Sequence, residues 1–330
     1  MEKSSGVKAR GAVVACAAAG IVLAAWNAGA QSQYPSRPIR LIVPSSPGGG
    51  TDITARIIAP RLGEYLGQQA VVENRAGAGT MIGGELVARS APDGYTLLMG
   101  ISTLAINPAM YRKVPYDALR DFAPVSQVVA LPNVLVTHPS LPARSVRELI
   151  ALAKARPGEL NFASAGVGTN PHLSMELFLS MAGVKMTHVP YKGSGQGVID
   201  LLAGHVTVMT PSILTALGYV KDRRLRALGV TSAKRAGGAP DIPTIAEAGV
   251  PGYEAVQWFG VLAPAGTPRD IITRLHKEIV RTVETPEIRQ RLVNDGADPV
   301  GSSPEEFAAF IRSETVKWAK VAKAIGLKPE

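Results

Sequence analysis

Gly48, Gly49 and Gly50 stand directly before Thr51 and Asp52, inside the stretch IRLIVPSSPGGGTDITARIIAPRLGEYL that runs from Ile39 to Leu66. Glycines ahead of a helix leave its first backbone N–H groups uncovered. Such a terminus carries roughly half a positive elementary charge and about four unpaired donors, which makes it a seat for an anion. No Arg or Lys lies within the turn, so an anion held there would rest on backbone donors, with Thr51 as the expected N-cap. Asp52 favours the helix dipole but would repel a carboxylate, so its side chain is expected to turn away and bond locally. A tight turn that binds nothing is the competing reading.

Other chemistries find weaker support. The five histidines, His138, His172, His188, His205 and His276, form no H-x-x-x-H pair, and no metal is expected. No G-x-S-x-G motif exists: Ser164 follows Phe162-Ala163, and Ser194 follows Lys192-Gly193. Gly77-Ala78-Gly79 with Gly83 imitates a dinucleotide turn, yet the spacing is loose and no acid closes the next strand for a ribose hydroxyl. An exported serine hydrolase and an NADP-dependent oxidoreductase therefore stand as rivals to a binding function, which would need no cofactor.

Apolar runs alternate with amphipathic stretches along the chain. Ile39 to Val43 reads as a buried parallel strand stopped by Pro44, and Ile53, Ile57, Ile58, Leu62 and Leu66 form the apolar side of the following helix, with a kink expected at Pro60. Strands at Ala70 to Glu73 and Tyr95 to Met99 flank a glycine-rich turn from Asn74 to Gly84 and a helix end at Glu85 to Arg89. Phe122 to Thr137 reads as a crossover into a second α/β series. That series holds helices at Val146 to Ala155, after Pro171 as first helical residue, at Val198 to Ala203 and at Ile213 to Lys221. Its strands fall at Leu160 to Ser164, Met186 to Pro190, Val206 to Met209 and Leu225 to Thr231. Ala255 to Ala263 is the expected return crossing, followed only by helices, with N-cap signatures at Thr267-Pro268 and at Ser303-Pro304 with Glu306.

With 330 residues, 46% hydrophobic and 18% charged, the composition is that of a globular protein long enough for two cores. Formal charge is +9; the first thirty residues contribute +2, which leaves +7. Nucleic acid is not expected as a partner, because Lys and Arg are scattered and aromatics make up only 5%. Lys3, Lys8 and Arg10, the apolar Gly11 to Ala25 and Ala28-Gly29-Ala30 read as a secretory signal over 1–30, removed near Gln31. Val13 to Cys16 offers a lipoprotein box as a rival. Removal of the signal would leave no cysteine, and with it no disulfide or thiolate site.

PSSPGGGTD at Pro44 to Asp52, ENRAGAG at Glu73 to Gly79, APDGYTLLMG at Ala91 to Gly100, AINPAMY at Ala105 to Tyr111, FASAGVGT at Phe162 to Thr169 and HVPYKGSG at His188 to Gly195 resemble the Bug family. Its members are periplasmic solute receptors of tripartite tricarboxylate transporters. The resemblance implies a type II periplasmic binding protein: two α/β domains joined by two crossing strands, with a small organic carboxylate between them and transporter membrane subunits as partners. The expected division is 31–130 with 259–330 as one domain and 131–258 as the other, in a monomer. Carried over residue by residue, Gly48, Gly49 and Thr51, next to Asp52, would receive one carboxylate. Gly79, Thr80 and Ser102 would line the first wall, and Ser164, Gly166 and Thr169 the second, with Tyr191, Lys192 and Gly193 nearby. Ser164 as a turn cap, Thr80 bonded to its own backbone and Lys192 as a solvated charge remain the plainer readings. Ser45 stands where the family usually has an aromatic ring, which implies a more polar pocket or another ring in its place. Thr207 and Thr210 stand where many relatives carry acids, which argues for a plain carboxylate over an amino acid.

Overall fold

The computed structural model describes residues 34–326; the expected signal over 1–30 and its cleavage near Gln31 lie outside them. The first run of elements is β1 (Ile39–Val43), α1 (Gly50–Leu66), β2 (Ala70–Asn74), α2 (Met81–Ala88), β3 (Thr96–Ile101), α3 (Thr103–Met110) and β4 (Phe122–Pro132). The second is β5 (Val134–Thr137), α4 (Val146–Ala155), β6 (Asn161–Ser164), α5 (Asn170–Ala182), β7 (Thr187–Pro190), α6 (Ser194–Leu202), β8 (Val208–Met209), α7 (Ile213–Lys221) and β9 (Arg226–Val230). Then follow β10 (Val256–Pro264), α8 (Arg269–Glu284), α9 (Pro286–Asn294), β11 (Asp298–Pro299) and α10 (Pro304–Ala324).

Two mixed sheets share one plan. The six-stranded sheet runs β11-β4-β10-β3-β1-β2 and the five-stranded sheet β7-β6-β8-β5-β9. β1 lies parallel between β2 and β3, and β6 parallel between β7 and β8. In each sheet one antiparallel strand comes from the other half of the chain: β5 enters directly after β4, and β10 returns after β9. These are the two expected crossings. Burial of Ile39, Leu41, Ile42 and Val43 explains why β1 reads as a nearly unbroken apolar run.

Several boundaries depart from the sequence reading, each for a local reason. α2 begins at Met81, inside the expected glycine turn, because Gly83 and Gly84 are helical positions pressed against neighbours. A Cβ would stand 2.8 Å from Pro44 at the first and 2.5 Å from Tyr116 at the second. α6 starts at Ser194, ahead of the expected Val198, and Pro171 is the second residue of α5 rather than its first. The expectation of helices alone after β10 is corrected by β11, whose Asp298 and Pro299 pair with Ala130 and Val129. Thr267 does not cap α8: its hydroxyl closes a turn on Pro264 O at 2.7 Å, and Pro268 takes the cap position. Ser303 and Glu306 form the capping box read from the sequence, and α1 continues as one helix through Pro60.

Two apolar clusters hold the sheets. One joins Ile42, Leu98, Trp258, Phe307 and Ile311. The other joins Leu135, Phe162, Leu173 and Phe178 to Ile106 and Met110 of α3 and to Trp318 and Ala322 of α10. α10 therefore contributes its beginning to one core and its end to the other.

Candidate functional site

Helix N-termini converge on one cavity. Gly49, Gly50 and Thr51 of the α1 start, Thr80 before α2 and Thr103 of α3 form one side; Thr169, Asn170 and Pro171 of the α5 start, Ser194 of α6 and Ser212 before α7 form the other. No side chain caps any of these six helices. Positive dipole ends that keep their donors free are an anion-attracting arrangement. Polar side chains reinforce it: the hydroxyls of Ser45 and Thr103, both lining residues, are buried without a protein partner. A buried hydroxyl without a partner costs stability, so a group that satisfies it is favoured there. Among the described residues, no Asp or Glu lines the cavity, and Lys192 is the one full charge in its lining.

The loops of the two sheets meet at the rim. Tyr111 donates its hydroxyl to Val167 O at 2.8 Å, and glycine makes the approach feasible: a Cβ on Gly79 would stand 2.7 Å from the Tyr111 oxygen. Gly193, at φ +149°, packs on Ser46, where a Cβ would stand 2.7 Å from the Ser46 nitrogen.

Of the expected site residues, Gly49, Thr51, Gly79, Thr80, Thr169, Tyr191 and Lys192 line the cavity. The others are not part of its lining. Gly48 gives its N–H to Asp52 Oδ2 at 3.0 Å. The Asp52 carboxylate also accepts from Arg56 Nε at 3.0 Å and Asn74 Nδ2 at 2.9 Å, so it turns back into its own loop as its chemistry requires. Burial raises its pKa, but these hydrogen bonds outweigh burial and hold it below the ordinary value. Ser102 is fully buried before α3, and Thr210 is committed to Pro171 O at 2.9 Å. Thr207 bonds Asn161 O at 2.7 Å.

Ser164 and Gly166 belong to a braced turn. Ser164 Oγ accepts the Gly166 N–H at 3.1 Å and lies 2.6 Å from His188 Nε2, while Gly168 donates to His172 Nδ1 at 3.3 Å. The two imidazoles stack with ring centroids 4.2 Å apart, and Phe162 stacks on His188 at 4.8 Å. Burial, helped by the neighbouring His188, holds the His172 pKa down to about 3; burial lowers that of His188 to about 4. Tyr191 donates to Asp200 Oδ2 at 2.6 Å, and burial together with that carboxylate raises its phenol to about 12.

Residues that the sequence reading missed come from all sides, with Ile101 and Thr103 on the first wall and others from the return crossing and the second wall. Gln257 and Phe259 of β10 form part of the lining, with Asn170 and Ser212 facing it from the second half. Phe259 supplies a ring in a pocket that carries Ser45 in the first turn. The usable signal was period-two alternation along β10, which places Gln257 and Phe259 on the same face.

This fold, with two sheets exchanging strands and donors converging between their loops, is that of a periplasmic-type solute-binding protein. The profile described as tripartite tricarboxylate transporter family receptor matches residues 54–327. BugT of Bordetella pertussis is 43% identical over 297 residues, covering 89% of this chain and 91% of its own. Among solved structures, an R. palustris protein determined with adipate is 40% identical, with a TM-score of 0.88 over 90% of this chain and 100% of its own. MatC from Rhodopseudomonas palustris, with bound malate, is 31% identical, with a TM-score of 0.83 over 87% of this chain and 99% of its own. The chain belongs to this receptor family.

Proposed function

We propose that the chain, a carboxylate-binding receptor by family, seats one carboxylate of its ligand on the backbone N–H groups of Gly49 to Thr51, with Thr80, Thr169, Tyr191 and Lys192 enclosing it. The observation that carries this reading is the set of six uncapped helix starts around a cavity with buried, unpartnered Ser45 and Thr103 hydroxyls. Gly48, Asp52, Ser164, Gly166 and Thr210 hold the loops in place through their hydrogen bonds, Gly193 lets its loop pack on Ser46, and Ser102 is buried before α3. The adipate and malate of the relatives support a small organic acid.

The exported chain, its signal removed near Gln31, works as a periplasmic monomer and delivers the acid to the membrane subunits of a tripartite tricarboxylate-type transporter. Residues 31–130 with 259–330 move as one body and 131–258 as the other, closing by a hinge. The Ser164–His188 pair is the observation that favours a hydrolase, but Ser164 is fully buried and tied to Gly166, so binding is preferred. Calorimetry of the mature chain against di- and tricarboxylates, aromatic acids and amino acids tests the reading. Saturable binding of a carboxylate is expected; ester turnover without any binding would overturn it.

A further inference from the structure

The polar part of the cavity lining is mainly backbone donors and hydroxyls, joined by two side-chain amides, Asn170 and Gln257. Gln257, 5% exposed, faces it from β10, and the direction of its amide is dictated by a relay anchored on a backbone carbonyl. Val256 O can only accept, so Asn170 donates to it through Nδ2 at 3.1 Å. The Asn170 Oδ1 then accepts from Asn133 Nδ2 at 2.7 Å and from Ser174 Oγ at 3.1 Å. Asn133 Oδ1 is thereby left to accept, and Gln257 Nε2 donates to it at 2.8 Å. Turning any amide of the relay would set donor against donor or oxygen against oxygen. The remaining atom, Gln257 Oε1, takes no hydrogen bond from the described residues and has no donor of its own to offer.

We propose that Gln257 is a specificity residue that selects hydroxylated carboxylates: its Oε1 accepts from a hydroxyl of an acid whose carboxylate sits at the α1 start. This rests on the carboxylate reading above. An ammonium group could also donate to Oε1, but no Asp or Glu lines the cavity to neutralise it, and six helix N-termini oppose a cation. A hydroxyl brings the donor without the charge. A site that holds an acceptor for a ligand hydroxyl disfavours the analogue that lacks one, because the acceptor is left unpaired on binding.

Calorimetry with matched pairs tests the assignment: succinate against malate, glutarate against 2-hydroxyglutarate, benzoate against 4-hydroxybenzoate, and aspartate as the ammonium control. In each pair that binds, the hydroxylated acid is expected to be tighter by about tenfold or more. In Gln257→Met the ratio should fall to about twofold, whereas a purely structural role would weaken both members alike. If Gln257→Met fails to fold, the ratio in the natural chain decides. Equal or tighter binding of the plain acid would mean that a water serves Oε1, and tightest binding of aspartate would mean an ammonium site; either overturns the proposal. Should none of the seven acids bind, the proposal falls together with the carboxylate reading, an outcome distinct from binding without preference.

Discussion

The turn from β1 to α1 and the turn from β6 to α5 occupy equivalent places in the two sheets and solve one problem with opposite chemistry. The N-cap residues Gly49 and Thr169 share φ of −77°, with ψ of 160° and 159°, and Gly48 and Gly168 precede them at φ of +77° and +71°. In both turns the third helical residue reaches back to the N–H of that positive-φ glycine: Asp52 in the first, His172 in the second. One brace has to be charged and the other neutral. The second helical residue differs as well, Thr51 against Pro171, so α1 keeps a donor that α5 lacks. Common geometry thus gives the first turn one more free backbone donor than the second, the basis for the proposed anion seat there.

Thr51→Pro copies the α5 pattern into α1 and should break the comparison most. It removes one charge-assisted donor, worth about 1.5 to 3 kcal/mol, so binding should weaken roughly ten- to hundredfold by calorimetry. Thr51→Ala keeps the N–H and should lose less. Proline is tolerated in the first turn of a helix, so the ligand-free melting temperature should change little.

The braces should also part company with pH. His172 has a folded pKa below that of the unfolded chain, so its stabilising effect is full above about pH 6.5 and is lost as pH falls toward about 3. At pH 5 the loss is about 2 kcal/mol. Burial raises the pKa of Glu176, which offsets part of this loss as pH falls. Asp52, with its pKa lowered, keeps its contribution above 3.8 and loses it only as pH falls through its folded value. Hydrogen exchange between pH 7 and 4.5 should therefore show the Gly168 amide losing protection before that of Gly48.

Smaller effects sharpen the contrast. Asp52→Asn should cost about 1 kcal/mol of stability in denaturant titrations while leaving affinity within about twofold, because its carboxylate faces its own loop. Tyr111→Phe removes one contact between the loops of the two sheets, worth about 0.5 to 1.5 kcal/mol. Affinity should drop severalfold, the ligand-induced decrease in radius of gyration should shrink, and the ligand-free melting temperature should fall slightly, in line with the loss of that one bond.

Both turns were legible in the sequence because glycine and proline announce themselves, as were the two crossings, through long apolar runs. The braces were not. His172 and Asp52 lie far apart in sequence and share no residue type; only the shared plan of the two sheets shows them to be counterparts. The start of α2 stayed hidden because Gly83 and Gly84 signal a turn locally, whereas close packing on Pro44 and Tyr116 admits a helix. Gln257 was legible as part of a strand but not as part of the lining, since its role depends on Asn133 and Asn170, distant in the chain.

α10, at 21 residues, is about 31 Å of continuous rod. Phe307 and Ile311 are set in one core and Trp318 and Ala322 in the other, so under the proposed closure the helix would act mechanically as a torsion bar. Rotation of one half against the other, as proposed above, would have to twist the rod or draw its last turns, with the end of α3, across Phe162, Leu173 and Phe178. The angle of the proposed opening would therefore be limited by side-chain packing more than 50 residues beyond the last crossing strand.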